Sequence, residues 1–381
     1  MAGPLDGLVV VSLEQAVAIP FATRQLADLG ARVIKIERTG EGDFARHYDD
    51  GIGPGLSSAF LWLNRGKESI ELDVKSDDGH ATLMRLIDRA DAFFQNLAPG
   101  AIERLGCSAD RLRARNPRLI TCWLSGYGPD GPYRERTAYD LLIQAEAGLV
   151  SITGTPDSPA KDGMSSADIA AGMYAYSSTL AALIQRGNTG VGAHIQVNLF
   201  DCLLEWLGHQ STYARTIGQL PARAGARHAT IAPYGPFTCG DGQVVFLAVQ
   251  NDRQWKTLCA VLGATEMASD VRFARNPDRV VHVERLEALI SARLSAMTAD
   301  ALIERLDAAG LPWGRLNDMR DVFDHPQLAA RQRWQPIGTP HGSFPGLRSP
   351  VDITGVDIAM GDVPTLGQHT ESVLAWLDRD V

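Results

Sequence analysis

The sequence predicts an α/β protein with two domains: a large one built on a doubly wound, mainly parallel sheet, and a smaller α+β domain. Three observations support this. The chain has 381 residues, which is enough for two domains. Short apolar runs alternate with amphipathic stretches as far as Ser125, a pattern typical of βαβ units. A Gly-, Pro- and Arg-rich region at 223–242 then precedes a second, mainly helical part.

The first part of the chain alternates strand and helix signals. GLVVVSL predicts a strand, Pro20 can begin the next helix, and Gly30 can end it. Further strands are predicted at ARVIKIE, ESIELDV, DAFFQN and RLITCWLSGYG, with helices at HATLMRLIDRA, GAIERLG and SADRLRARN. A helix from about Tyr139 to Gly148, a strand at AHIQVNL and a helix at FDCLLEWLGHQSTYA follow. We therefore expect a Rossmann-like large domain.

The second part begins with a hairpin signal. In TCGDGQVVFLAV, Gly-Asp-Gly precedes alternating apolar residues, and helices are predicted at DRQWKTLCAVLG, VERLEALISARLSAM and ADALIERLDAAG. The tail from His325 is rich in Pro and Gly and has one last helix near 370–379, so we expect it to pack on the large domain. The predicted division is a large domain at 1–200, a linker at 201–224, a small domain at 225–325 and a returning segment at 326–381.

Composition narrows the range of functions. The formal net charge of −9 argues against general nucleic-acid binding. No apolar run is long enough to span a membrane, and no basic segment precedes the first apolar run as in a signal peptide. The five cysteines form no C-x-x-C pair, which predicts reduced thiols in the cytoplasm. The nine histidines form no ligand pattern, so no metal is expected.

The loop after the first strand, EQAVAIP, contains no glycine. Nicotinamide- and flavin-binding folds need glycines there, because the pyrophosphate approaches the backbone closely. Glu37 ends the second strand where such enzymes place an acidic ribose contact, but Arg38 follows it at once. We therefore expect neither cofactor.

Several cations follow predicted strands instead. They could be ordinary solvated surface residues, yet Arg38, Lys75 and Arg104 follow strands of the same predicted sheet and could converge at one edge. Arg offers bidentate phosphate contacts and a stacking plane, so a ligand with several phosphates and an adenine would suit this edge. The cations considered are Arg38, Arg46, Lys67, Lys75, Arg104, Arg134 and Arg136.

Asp168 lies at the start of a predicted helix among small residues, in SSADIAAGMYA. It could be a helix cap, since Asp is a favoured N-cap residue. It could also be a nucleophile, because an Asp with an ordinary pKa of about 3.9 is ionised at neutral pH. Its attack on an acyl thioester would give a mixed anhydride that keeps the acyl group activated, and helix-start N–H groups could stabilise an oxyanion.

Six segments in order resemble the family III CoA-transferases: GLVVVSLEQAVAIPFATRQLADLGARVIKIERTGEGDFAR, NRGKESIELDVKSDDG, QNLAPGAIERLG, SGYGPDGPYRERTAYD, SSADIAAGMYA and DVFDHPQLAAR. The resemblance implies that Asp168 is the nucleophile and that acyl-CoA is a substrate. It also implies an interlocked homodimer, which would account for a long tail without its own core. The CoA contacts it implies are Val17, Ala18, Arg38, Leu72, Lys75, Asn96, Leu97, Ala98, Arg104, Thr137, Tyr139 and Asp140.

Departures from the family pattern bear on the substrates. Some relatives have a lysine where this chain has Thr137, so we expect Arg136 to supply that CoA contact instead. The oxalate-using branch has a glycine-rich loop where this chain has GARHATIAPYGPF, which resembles the branch that uses succinyl-CoA or other dicarboxylates. Arg46, Arg227 and His228 are the predicted contacts for the acceptor acid.

Two alternatives remain open. The related 2-methylacyl-CoA racemases move a proton with a His/Asp pair, and their histidine aligns with Tyr139, which disfavours racemase activity. A non-catalytic acyl-CoA-binding protein with the same fold is the second alternative.

Overall fold

The computed structural model describes residues 3–358 and 360–379, and the chain divides into two compact units. The first unit contains the residues up to Leu149, Asp162–Thr212 and the residues from Ala329 on. The second unit contains Val150–Lys161 and Tyr213–Leu328. This division separates residues 150–161 from the first unit and splits the stretch expected to be a linker after Thr212.

Strands and helices alternate through the first half of the chain, and a 3₁₀ turn follows the second strand at Phe44–His47. In chain order the elements are β1 (Val9–Leu13), α1 (Ala18–Asp28), β2 (Arg32–Glu37), α2 (Ser58–Asn64), β3 (Lys67–Glu71), α3 (Asp77–Asp88), β4 (Ala92–Gln95), α4 (Ala101–Arg104), α5 (Ala109–Arg115), β5 (Ile120–Ser125), α6 (Asp140–Glu146), α7 (Leu149–Ile152), β6 (Gly154–Thr155), β7 (Ser158–Pro159), α8 (Ser166–Thr189), β8 (His194–Asn198), α9 (Leu199–Trp206) and α10 (Gly208–Ile217).

The second half is mainly helical between two groups of short strands. Its elements are β9 (Tyr234–Thr238), β10 (Val244–Ala248), α11 (Asp252–Val261), α12 (Thr265–Ser269), α13 (Asn276–Val281), α14 (Val283–Leu294), α15 (Ala299–Ala308), β11 (Trp313–Arg315), α16 (Met319–Phe323), α17 (Pro326–Ala330), β12 (Trp334–Thr339), β13 (Gly342–Leu347) and α18 (Thr370–Asp378).

The first unit is built on a six-stranded sheet in the order β3-β2-β1-β4-β5-β8. All neighbouring strands are parallel, which confirms the predicted sheet. Val10 of β1 pairs with Val33 on one side and Ala92 on the other. The strand order reverses at β1, and ligands of open α/β sheets bind beyond the carboxyl ends of the strands at such a point.

Helices cover both faces of this sheet. On one face, α3 and α18 bury Leu86 and Leu377 against strand residues such as Val11 and Ile34. On the other face, α1 packs against α8. A Cβ at Gly172 of α8 would lie 2.6 Å from the backbone oxygen of Ala18, so this close helix crossing requires glycine.

The Pro-rich tail forms a hairpin that the sequence analysis missed. Strands β12 and β13 pair antiparallel, with Pro336 opposite Pro345. Proline disfavours strands in general, but a two-stranded ribbon has an open edge where the missing N–H costs no ladder bond. Ile337 of this hairpin is fully buried against Leu56 and Phe60 of the first unit.

The second unit contains the antiparallel sheet β11-β10-β9, and its β9–β10 pair confirms the predicted hairpin. Its core includes Trp255, Leu286 and Leu302, all fully buried. The small β6–β7 ribbon belongs to this unit, and Arg223 of the same unit donates to the backbone oxygen of Thr155 in β6 at 2.9 Å.

Candidate active site

A cleft of about 1180 Å³ lies in the first unit, where strands β1 to β4 end. It brings together five residues that follow three different strands, as parallel strand ends in one sheet should. All five were predicted CoA contacts: Arg38, Leu72, Lys75, Leu97 and Arg104.

The cations of this cleft suit a phosphorylated ligand. Lys75 and Arg104 are exposed, and Arg38 is exposed with its nearest carboxylate, that of Glu41, 3.5 Å away. Arg111 on α5 also lines the cleft, although the sequence analysis missed it because it follows no strand. Guanidinium groups at this edge can bind phosphate oxygens and stack on an adenine.

Asn96, which directly follows β4, has a structural role. Its Oδ1 accepts from the backbone N–H of Gln15 at 2.9 Å, and its Nδ2 donates to the Gln15 carbonyl oxygen at 2.8 Å. This pair of bonds ties the end of β4 to the loop after β1. The backbone oxygen of Ala98, another predicted contact, accepts from the N–H of Ala101 at the start of α4.

The loop between β1 and α1 adopts an unusual backbone conformation. Ala16 has φ of 63°, a region that L-residues with a Cβ rarely adopt. Its N–H donates to Asp43 Oδ1 at 3.1 Å, and Asp43 also accepts from the N–H of Ala45. Val17 and Ala18 follow at the start of α1, and both are buried. The buried carboxylate of Asp43, which is not part of the β1–α1 loop, therefore holds this loop in its conformation.

A buried set of charges lies beneath this loop. Glu14 Oε1 is 2.7 Å from Lys67 Nζ, and Lys35 Nζ is 2.8 Å from Asp43. Thr23 donates to the second Glu14 oxygen at 2.6 Å. Burial opposes ionisation, but the ammonium groups of Lys67 and Lys35 bring the pKa of Glu14 below its ordinary value. Lys67, one of the cations considered in the sequence, is thus neither a solvated surface residue nor available to a ligand, because its side chain is fully buried and paired with Glu14.

Arg46 is also structural, contrary to the expectation that it binds the acceptor. Its guanidinium forms two hydrogen bonds to Glu37, of 2.8 and 2.7 Å, and lies 3.8 Å from the centre of the Phe60 ring. The residue is only 3% exposed. A guanidinium engaged and enclosed in this way is not available to a substrate carboxylate.

Asp168 is the third residue of α8 and does not cap it. The N-cap position is held by Ser165, and the capping carboxylate comes from Asp140 of α6. Asp140 Oδ1 accepts from the backbone N–H groups of Ala167 and Asp168, at 2.9 and 3.4 Å. These helix-start N–H groups are thus bound to a carboxylate, and the expectation that they stabilise an oxyanion needs revision.

The pKa of Asp168 departs from the ordinary value expected from the sequence. Burial, together with the negative charge of Asp140, raises it to about 7. A carboxyl group of this kind is only partly ionised at neutral pH. The difference arises mainly from burial, with a further contribution from Asp140, which is distant in sequence but packs beside Asp168.

Tyr48 lies near this carboxyl group, and Tyr139 lies near Tyr48. Burial and the charges of Asp43 and Asp168 raise the pKa of Tyr48 to about 12, and Tyr139 contributes to the same shift. Tyr48 thus interacts both with the carboxylate that holds the β1–α1 loop and with Asp168. Tyr139 is 61% exposed and Tyr48 is 50% exposed. The sequence analysis missed Tyr48, because no motif singles it out.

Arg136 and Thr137 do not line the cleft among the described residues. Arg136 pairs with Glu146 at 2.9 Å and lies 4.8 Å from the centre of the Tyr133 ring. Thr137 is exposed. Both residues stay predictions for CoA binding.

Arg227 and His228 belong to the second unit. They line a cavity of about 620 Å³ within that unit. Arg227 pairs with Glu287 at 2.9 Å, and the His228 ring stacks on Tyr234 with 5.2 Å between ring centres. Both side chains already have partners within their own unit.

Three further features of the described residues concern disulfides, metal binding and membrane spanning. All five cysteines are free and buried. Within 3–358 and 360–379, no three His, Cys, Asp or Glu side chains come together as a set that could hold a metal ion. Over the same residues, every helix is too short or too polar to cross a membrane.

Comparison with known proteins identifies the family. Residues 5–370 match the family model described as CoA-transferase family III. The chain is 39% identical to the acetyl-CoA:oxalate CoA-transferase of Acetobacter aceti, over 93% of this chain and 90% of that protein. It is 35% identical to the succinate–glutarate CoA-transferase of Agrobacterium fabrum, over 98% and 96%. The crystal structure of a CaiB/BaiF family protein from Brucella suis matches with a TM-score of 0.87 and 38% identity, covering 99% of this chain and 100% of that one. The chain therefore belongs to CoA-transferase family III.

Proposed function

We propose that this CoA-transferase moves CoA from succinyl-CoA to a short dicarboxylate acceptor through a covalent bond to Asp168. The position of the Asp168 carboxyl group carries the proposal. It lies half-buried in the first turn of α8, one turn before Gly172 crosses the start of α1. The loop before α1 leads directly from the cleft, and the residues beside Asp168 are small.

The negative charge passes from one group to the next in each covalent step. An Asp168 oxygen attacks the thioester carbonyl carbon, the C–S bond breaks, and CoA leaves as the thiolate. The thiolate then attacks the Asp168 carbonyl carbon of the mixed anhydride and releases the first acid as its carboxylate. The resulting aspartyl-CoA thioester exchanges with the acceptor carboxylate by the same two steps in reverse. Activation is kept throughout, because no step uses water.

The developing oxyanions need donors other than the first N–H groups of α8. Those of Ala167 and Asp168 donate to Asp140. The start of α1 is the alternative, since the first N–H groups of a helix have no partner within it. We therefore assign the oxyanion contacts to the backbone around Val17 and Ala18.

The acceptor is proposed to be a dicarboxylate because of the relatives. One relative is named for succinate and glutarate and another for oxalate, and both names denote dicarboxylates. The absence of a glycine-rich segment in GARHATIAPYGPF favours acids longer than oxalate. Acceptor binding by Arg227 and His228 stays a prediction. The interlocked homodimer and the cytoplasmic location are also untested predictions.

A substrate screen combined with trapping tests the proposal. Succinyl-CoA is incubated with oxalate, malate, citramalate, glutarate and mesaconate in turn, and the new acyl-CoA is measured. In parallel, the protein is treated with succinyl-CoA alone and then with hydroxylamine, and we expect a hydroxamate at Asp168 by mass spectrometry. Transfer to none of these acids would contradict the substrate class, and a hydroxamate elsewhere would contradict the nucleophile.

The alternatives predict different outcomes in the same assays. A 2-methylacyl-CoA racemase would exchange the α proton of its substrate with deuterated solvent in the absence of any acceptor. A non-catalytic binding protein would bind acyl-CoA tightly and form no hydroxamate. The position equivalent to the racemase histidine is Tyr139, so the His/Asp pair of the racemases is not present there.

The cleft cations give a prediction for CoA binding. Arg104→Ala is expected to raise the KM for succinyl-CoA by about tenfold or more, because a charge-assisted hydrogen bond contributes about 1.5–3 kcal/mol. We expect little change in kcat, since Arg104 lies on the cleft wall and not beside Asp168. Arg134→Ala is the control, because Arg134 is 61% exposed, pairs with Glu135 and does not line the cleft. Equal effects of the two substitutions on KM would contradict this assignment of the CoA site.

A further inference from the structure

Asp140 and Gln144, one turn apart on α6, together fix the start of α8. Asp140 Oδ1 accepts from the N–H groups of Ala167 and Asp168, and its Oδ2 accepts from Gln144 Nε2 at 2.8 Å. Gln144 is fully buried. All three donors point at one carboxylate, and the positive end of the α8 dipole also favours a negative charge there.

Gln144 extends this arrangement into the loop before α8. Its Nε2 also donates to the Met164 carbonyl oxygen at 3.2 Å, and its Oε1 accepts from the N–H of Asp162 at 3.0 Å. A buried amide with its oxygen and nitrogen both engaged cannot turn over without losing these bonds. The Asp140 carboxylate is therefore held at a defined place beside Asp168.

We propose that Asp140 is a positioning residue that keeps a second negative charge beside Asp168 and thereby favours the states in which Asp168 is neutral. The inference rests on the proposed function of Asp168. When an Asp168 oxygen bonds to the acyl carbon and the C–S bond breaks, the negative charge leaves with the CoA thiolate. Repulsion between the two carboxylates is relieved in the anhydride and in the aspartyl-CoA thioester, just as it is by protonation.

The charged surroundings of Asp168 agree with this role for Asp140. Burial and Asp140 act in the same direction on the pKa of Asp168, and the phenol of Tyr48 also interacts with Asp168. Elements α1, α6, α9, β5 and β8 pack against α8. Their other titratable groups are Arg24 and Asp28 on α1, Glu146 on α6, Cys122 on β5, His194 on β8, and Asp201, Cys202 and Glu205 on α9. Arg24 and Asp28 pair with each other, and Glu146 pairs with Arg136.

The test is the pH profile of Asp140→Asn, which removes the charge and keeps the size of the side chain. In the wild type, kcat/KM for CoA exchange should rise with pH through about 7, as Asp168 becomes a carboxylate. In Asp140→Asn the rise is expected about one pH unit lower. The ratio of aspartyl-CoA to unmodified protein at pH 9 is expected to fall about tenfold, which corresponds to one pKa unit.

Gln144→Met is the matched structural control, because it removes the bond to Asp140 and keeps the charge. We expect it to lower the rate but to leave the pH of the rise unchanged. Should Asp140→Asn fail to fold, Asp140→Ser offers a neutral capping side chain and is expected to show the same displacement. A rise at the wild-type pH in a folded neutral variant overturns the inference. Failure of the proposed function is distinct, since Asp168→Asn would then retain exchange.

Discussion

Asp168→Asn is expected to lower kcat for CoA exchange by about 10³-fold or more, as removal of a covalent nucleophile does in other enzymes. The amide has nearly the size of the acid, but it is a far weaker nucleophile toward a thioester. The Kd for succinyl-CoA should change little, because the cleft cations are untouched. Exchange is measured with labelled succinate and succinyl-CoA, and binding is measured separately by calorimetry.

The matched control for this substitution is Asp201→Asn. Asp201 is the third residue of α9, as Asp168 is of α8, and it is acidic in a first helical turn of the same unit. Its carboxylate accepts from Asn198 and has no place in the proposed chemistry. We expect Asp201→Asn to retain exchange near the wild-type rate. Asp168→Asn with more than a tenth of wild-type exchange would rule out Asp168 as the nucleophile.

Asp168→Asn should also make the protein more stable at high pH. The pKa of Asp168 is raised in the folded state, so the folded state binds the proton more tightly and the wild type loses stability as pH rises from about 4 to 7. Asn does not titrate. Between pH 5 and pH 8, the variant should gain about 2–3 kcal/mol in the free energy of unfolding relative to the wild type. Urea unfolding at the two pH values measures this, and a constant difference would contradict the raised pKa.

Sequence patterns predicted those site residues whose positions follow from the order of the strands and helices. Parallel strands end at one edge of a sheet, so Arg38, Lys75 and Arg104 could be placed together from strand signals alone, and they line one cleft. Asp168 could be singled out because its neighbours are small and a helix begins there. These inferences required only the order of the elements and the residue types.

The side chains with which these residues interact in the folded protein could not be predicted in the same way. Arg46 and Lys67 follow strand or loop signals like those of Arg38, but tertiary packing buries them on Glu37 and Glu14. Tertiary packing also raises the pKa of Asp168, first through burial and then through Asp140, which the packing of α6 on α8 brings beside it. A cation that binds a ligand and one that serves the core have the same appearance in a sequence.

Glu14→Gln is expected to be strongly destabilising, by about 3–5 kcal/mol, because it removes one partner of a fully buried ion pair. Glu14 lies between Lys67, at 2.7 Å, and Lys35, at 3.5 Å. Its loss leaves two buried ammonium groups with Asp43 as their neighbouring carboxylate. The free energy of unfolding is measured in urea and compared with that of Glu266→Gln. Glu266 pairs with Arg293 at 2.7 Å but is 64% exposed, so its substitution should cost less than about 1 kcal/mol.

A second substitution separates charge imbalance from lost packing. Lys67→Met in the Glu14→Gln background restores the balance of buried charge, and we expect the double variant to be more stable than Glu14→Gln alone. Recovery should extend to function, because Lys35 contacts both Glu14 and Asp43, and Asp43 accepts from the N–H of Ala16 in its left-handed conformation. The KM for succinyl-CoA should thus rise in Glu14→Gln and fall again in the double variant. A double variant less stable than either single one would show that the hydrogen bonds of Glu14, including that from Thr23, outweigh its charge.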